Sequence, residues 1–102
     1  MSFIKIYVTF PNEKEAERIA KHLLEKKMIA CVNFFPVKSM FRWEGKIQDS
    51  DEVVGFFATK KDNWDKVRTE IRKLHPYEVP AIIRLSAEST EDYEEWVEEE
   101  SR

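Results

Sequence analysis

The chain has 102 residues, 42% hydrophobic and 13% aromatic, with 17 Lys plus Arg against 20 Asp plus Glu and a formal net charge of −3. This is the size of one domain, residues 1–102, that buries roughly two-thirds of its unfolded surface and needs no metal or disulfide to fold; the acidic balance argues against a nucleic-acid partner. No apolar run approaches the roughly 20 residues of a bilayer span, the first residues lack the order of a signal peptide, and Cys31 is the single cysteine, so the expected setting is the reducing cytoplasm with no membrane attachment.

Residues 3–10 alternate, with Ile4, Ile6, Val8 and Phe10 on one side and Lys5, Tyr7 and Thr9 on the other, the period of a strand. Pro11 stops it. Asn12, with Glu15 three residues later, is a capping-box pattern that opens a helix, and Ala16, Ile19, Ala20, Leu23 and Leu24 share one of its faces through about Lys27. Residues 29–43 carry β-branched and aromatic side chains without helical period and predict one long strand, in which Pro36 marks a bulge or a change of pairing. Glu44-Gly45 predicts a tight hairpin turn. The return strand spans about 46–60, with Asp49-Ser50-Asp51 an expected irregularity and residues 53–58 its buried part.

From about Asp62, the positions Trp64, Val67, Ile71 and Leu74 mark a second amphipathic helix that Pro76 ends at His75. Residues 79–87 predict a fourth strand, and Ser89 or Thr90 caps a last helix that turns Tyr93, Trp96 and Val97 inward. The order β-α-β-β-α-β plus a C-terminal helix is the α+β, ferredoxin-like split βαβ plan, an antiparallel sheet with helices on one face.

Fifteen residues from 29 to 43 would reach about 50 Å if unbroken, whereas a domain of this length is about 34 Å across. The hairpin tip must overhang unless Pro36 folds the strand back onto its own domain. The tip carries Phe35, Phe41 and Trp43, and leaving such groups wet forgoes roughly 1.5 to 3 kcal/mol each. Burial between identical subunits is therefore the expectation.

Two places could carry chemistry. Cys31 in a core-like strand is either plain packing or a soft thiolate ligand. His75 at a helix end is either a cap bonding the last carbonyls or a metal ligand. Between the two prolines of His75-Pro76-Tyr77-Glu78-Val79-Pro80, the backbone restriction holds Tyr77 and Glu78 in place. Thiolate with imidazole favours copper or zinc over magnesium or calcium, but two ligands are too few for a closed site, so other subunits complete the shell or binding is weak. His22 reads as a helix-flank residue. No Gly-rich phosphate cradle and no nucleophile with a base and orienting partner is present, so no enzyme activity is expected.

Thr9-Phe10-Pro11, Ile29-Ala30-Cys31-Val32-Asn33, Trp43-Glu44-Gly45-Lys46-Ile47 and His75-Pro76-Tyr77-Glu78-Val79-Pro80, in this order and spacing, resemble the CutA divalent-cation-tolerance family. The resemblance covers essentially the whole chain. It implies a ferredoxin-like subunit in a homotrimer similar in architecture to PII signalling proteins, and a cytoplasmic role in tolerance of copper and other divalent cations. It also implies metal contacts at Cys31 and His75. Ala81 stands where the family often has a carboxylate, and Ala58 where it often has Lys. Two alternatives remain: a PII-like sensor whose intersubunit clefts, lined by Trp43, Tyr77 and Glu78, hold a small anion or metabolite, and a stable trimeric scaffold that docks other proteins.

Overall fold

The computed structural model describes residues 3–102. Its elements are β1 (Phe3–Phe10), α1 (Glu13–Glu25), β2 (Cys31–Trp43), β3 (Lys46–Lys60), a single 3-10 turn (Lys61–Asn63), α2 (Trp64–Leu74), β4 (Ile82–Ala87) and α3 (Glu91–Glu100). The strands form one sheet in the order β2-β3-β1-β4, every neighbour antiparallel, which is the split βαβ arrangement.

The pleat sorts the side chains into two faces. Ile4, Ile6, Val8 and Phe10 are at most 1% exposed and pack with Phe57 against Ala16, Ile19, Ala20 and Leu23 of α1 and Val67 and Ile71 of α2. Asn12 caps α1, its Oδ1 accepting the Glu15 N–H at 2.9 Å, while the Glu15 carboxylate turns to Arg18 at 2.7 Å. Leu24 was expected on the buried stripe but is exposed. It lies about 90° around the helix from the stripe's centre, outside the face that packs on the sheet.

The opposite face has partial cover only. Phe3, Ala58 and Val97 form a small second cluster where α3 crosses one end of the sheet. Of the three residues expected to turn inward from α3, Val97 is fully buried and Tyr93 half-buried, but Trp96 is exposed. One amphipathic helix over the end of a sheet has a narrow buried seam, and Val97 fills it.

At the hairpin tip Glu44 (φ 50°) and Gly45 (φ 77°) are both left-handed, as a two-residue type I′ turn requires. β2 then pairs with β3 at every residue from Cys31 opposite Ala58 to Trp43 opposite Lys46. Pro36 therefore makes no bulge, and Asp49-Ser50-Asp51 no irregularity. β2 is an edge strand, where a missing N–H on the free side breaks no ladder bond, and the polar triplet stays in regular pairing with residues 38–40 of β2. Pro36 marks a different boundary. It pairs with Val53, the last β3 residue that also pairs with β1. Beyond it, residues 37–43 and 46–52 run on as a two-stranded ribbon.

The ribbon does not fold home. The molecule measures 45 × 23 × 21 Å, and Phe35, Phe41 and Trp43 remain about 40% exposed. β4 starts at Ile82, three residues later than the sequence suggested, because Pro80 cannot donate to β1 and residues 79–81 stay outside the ladder.

Candidate functional site

The loop of residues 75–81, between α2 and β4, crosses the root of the ribbon. Pro76 forces His75 into extended backbone (φ −72°, ψ 136°), which ends α2. The His75 ring then stacks on Phe10 at 4.9 Å between centroids and leans on Tyr77 at 4.8 Å. Its Nε2 lies 2.8 Å from the Thr9 carbonyl, which can only accept, so Nε2 carries the proton; Nδ1 accepts the Tyr77 N–H at 3.1 Å. Both nitrogens are engaged in one neutral tautomer. Burial pushes the His75 pKa below its usual range, against the Thr9 carbonyl and the carboxylates of Glu15 and Glu52, which pull it up. The expected side-chain cap of α2 comes from elsewhere: Arg18 Nη2 donates to the Leu74 carbonyl at 2.9 Å.

Next in the loop, the Tyr77 hydroxyl donates to Glu52 Oε2 at 2.7 Å, and burial followed by this carboxylate raises the Tyr77 pKa. Glu52 is only 8% exposed, and among the described residues no cation pairs with it. Sequence reading passed over Glu52. Its signal was an acidic side chain on the same face of the return strand as the buried Val54, with apolar Val37 opposite.

Trp43, Tyr77 and Glu78, the three cleft candidates, do meet. Together with Phe41, Asp49 and Glu52 they line one groove of about 750 Å³ between the ribbon and the 75–81 loop. Its lining contains no Lys, Arg or His. A small anion, one of the ligands expected for this cleft, therefore finds no counter-charge in it.

Cys31 and His75 are not brought together within one chain. Cys31 opens β2 in the row of Ala58 and Lys5, whereas His75 lies at Thr9, four residues or about 13 Å farther along β1. Cys31 is on the face that α3 crosses, where its half-buried Sγ lies 3.3 Å from the Tyr93 hydroxyl. That contact and burial push the Tyr93 pKa up to about 12. Burial lowers the pKa of neighbouring Lys5, with Cys31 acting in the opposite sense. Among the described residues no three His, Cys, Asp or Glu side chains converge to hold a metal ion. Neither His75, with both nitrogens bonded, nor Cys31 fits a preformed single-chain metal site. His22, read as a helix-flank residue, joins α1 to α2 through Glu70 at 2.6 Å.

Comparison with known proteins gives a consistent result. A family model described as CutA1 divalent ion tolerance protein matches residues 4–100. The divalent-cation tolerance protein CutA of Pyrococcus horikoshii is 41% identical over 100 residues, which cover 97% of this chain and 98% of that protein. The solved structure described as the periplasmic divalent cation tolerance protein CutA from Archaeoglobus fulgidus superposes with a TM-score of 0.95 at 40% identity, covering 98% and 99% of the two chains. CutA1 from Oryza sativa superposes with a TM-score of 0.94 at 32% identity, covering 100% and 95%.

Proposed function

The chain belongs to the CutA1 divalent ion tolerance family, and on that premise we propose that it acts without catalysis, as a homotrimer, in tolerance of copper or another divalent cation. One observation carries the assembly. The sheet face opposite α1 and α2 presents Phe35, Ile83 and Leu85, each about 40 to 47% exposed, in one surface with Tyr7 and Phe56, and the overhanging ribbon extends it with Phe41 and Trp43. Covering large apolar side chains is worth roughly 1.5 to 3 kcal/mol each, and closed symmetry lets identical copies cover one another. The number three comes from the family resemblance.

The cation is cargo. Cys31 supplies the soft donor that suits copper; the His75 of the same chain lies about four strand residues away, so the imidazole that joins it comes from another copy and does so only by giving up one of its two hydrogen bonds. Calorimetric titration with copper, repeated on Cys31→Ala and His75→Ala, tests this site: weakened binding in both supports it, and unchanged binding in both removes it. A thiol-containing protein of this kind belongs in the reducing cytoplasm, although the Archaeoglobus relative is described as periplasmic; cell fractionation decides. No helix among the described residues is long and apolar enough to cross a membrane.

A second reading is favoured by the groove at the ribbon root, whose walls include Trp43, Tyr77 and Glu78. Here the trimer is a small-ligand sensor. A thermal-shift screen that raises the melting temperature and moves the Trp43 indole resonance supports it.

A further inference from the structure

We propose that α3 is a cation-responsive strap over Cys31: it docks and lifts as one unit about residues 88–90 while the sheet stays folded, and screening of its carboxylates by dissolved cations closes it. This governs access to the thiol of the copper reading, but its test uses no copper, so either can fail without the other.

What the strap covers follows from packing. Cys31 lies with Phe3, Ala58 and Val97 in the small cluster beneath α3. Tyr93 of the helix holds its hydroxyl 3.3 Å from the Cys31 Sγ and meets the Phe3 ring edge to face at 5.8 Å between centroids. Lifting α3 removes these neighbours of the thiol at once. It breaks no strand pairing, because the ladders run only among β1, β2, β3 and β4.

How weakly the strap is held follows from charge. Of its ten residues only Tyr93, Trp96 and Val97 are not carboxylates, and among the described residues no Lys, Arg or His pairs with one of the acids. Glu91, Glu95 and Glu99 stand one turn apart, as do Glu94 and Glu98, a spacing at which like charges destabilise a helix. Three consecutive glutamates close the helix at the end where its dipole is already negative. A helix this short is marginal on its own, and only Val97 is fully buried.

Its two ends differ. At the start, Glu94 Oε2 accepts the Ser89 N–H at 2.8 Å, so the first turn is tied and the helix swings on the exposed link 88–90 as a unit. At the far end a clasp holds it. The Ser101 hydroxyl accepts the Lys60 N–H at 3.1 Å, the Arg102 N–H donates to the Lys27 carbonyl at 2.7 Å, and Lys66 Nζ donates to the Arg102 carbonyl at 2.8 Å. Docking thus sets a narrow seam and this clasp against a self-repulsion that salt removes. The carboxylate side is costly to bury against another copy, so it stays in water in the assembly.

The test is the rate at which iodoacetamide, an uncharged probe, alkylates Cys31 in the full chain in its native assembly with a chelator present. The thiolate attacks the methylene carbon, the S–C bond forms and iodide leaves. Rates are compared in about 0.01 M and about 1 M NaCl, between which the screening length falls from about 30 Å to about 3 Å. Hydrogen exchange of α3 and β1 amides is followed on the same samples by mass spectrometry. Alkylation and α3 exchange should both slow about threefold or more in high salt, while β1 exchange is slower throughout and does not follow. Glu95→Lys turns both of its one-turn repulsions into attractions and should slow alkylation about threefold at low salt and abolish the slowing by salt, whereas Ser101→Ala opens the clasp and should speed it. The proposal is overturned if alkylation is absent or equal in both salts, if Glu95→Lys keeps the wild-type rate and salt response, if a folded Ser101→Ala is no faster, or if α3 and β1 amides exchange in step, which would mean that only global unfolding bares the thiol. Should Ser101→Ala fail to fold, Glu95→Lys, on the exposed side of the helix, decides with the wild-type salt response.

Discussion

His75→Ala separates a structural histidine from one that only awaits a metal. The ring donates to the Thr9 carbonyl, accepts from the Tyr77 N–H and stacks on Phe10 while only 7% exposed. Two hydrogen bonds contribute about 1 kcal/mol each and the ring stack about 1 kcal/mol more, so truncation should cost about 3 kcal/mol with no metal present. Urea unfolding in the presence of a chelator measures it. The pH dependence has a definite sign. The folded pKa is depressed below the ordinary 6.5, so the contribution is fully present above pH 6.5 and is lost as pH falls through the folded value, when protonation of Nδ1 removes the acceptor for Tyr77. The gap between wild type and variant should therefore narrow on acidification below 6.5. A cost under about 0.5 kcal/mol in chelator, or a gap that widens in acid, would refute the neutral, doubly bonded ring.

Three further outcomes follow from local geometry. Gly55→Ala places a Cβ 2.9 Å from Phe57 Cε1 and 3.0 Å from Phe10 Cε2, both on fully buried rings; overpacking should cost about 1 to 3 kcal/mol in chemical denaturation, and a neutral result would mean that the rings yield freely. Lys27→Gly relieves a left-handed residue (φ 58°) just past the C-terminus of α1 and should stabilise by about 1 kcal/mol, read as a raised melting temperature; a lowered one contradicts this. Tyr77→Phe removes the 2.7 Å donor from buried Glu52 and should cost about 1.5 to 3 kcal/mol, a hydrogen bond to a charged group, whereas an unchanged urea midpoint would show that water replaces the hydroxyl.

Much of the fold was legible because each element carries its own period. β1 alternates strictly, α1 opens on Asn12, and Glu44-Gly45 supplies the turn that the longest hairpin needs. The misplacements share a physical origin. Pro36 and Asp49-Ser50-Asp51 look like breaks only if the strand is surrounded; on an edge strand and a two-stranded ribbon they cost nothing. Leu24 and Trp96 have the right chemistry for a buried stripe but lie beyond the surface that their helices cover.

The site was legible in its parts but not in its grouping. Trp43, Tyr77 and Glu78 do share a groove. Cys31 and His75 belong to different faces and different rows of the sheet, a separation set by strand register that no local motif encodes. Glu52, a buried acid of the groove, was hidden because its hydrogen-bond partner, Tyr77, lies 25 residues away in the sequence.

The central claim is that the uncovered sheet face and the overhanging ribbon are buried against other copies of the same chain. Light scattering coupled to size exclusion at micromolar concentration tests it, on the wild type and on Leu85→Glu, which places a carboxylate in the middle of that face. The expected result is a mass of three 12.2 kDa chains for the wild type, shifting to smaller species in Leu85→Glu with the circular dichroism of the fold retained. A wild type that runs as a single chain, its rings exposed and its solution stable, contradicts it.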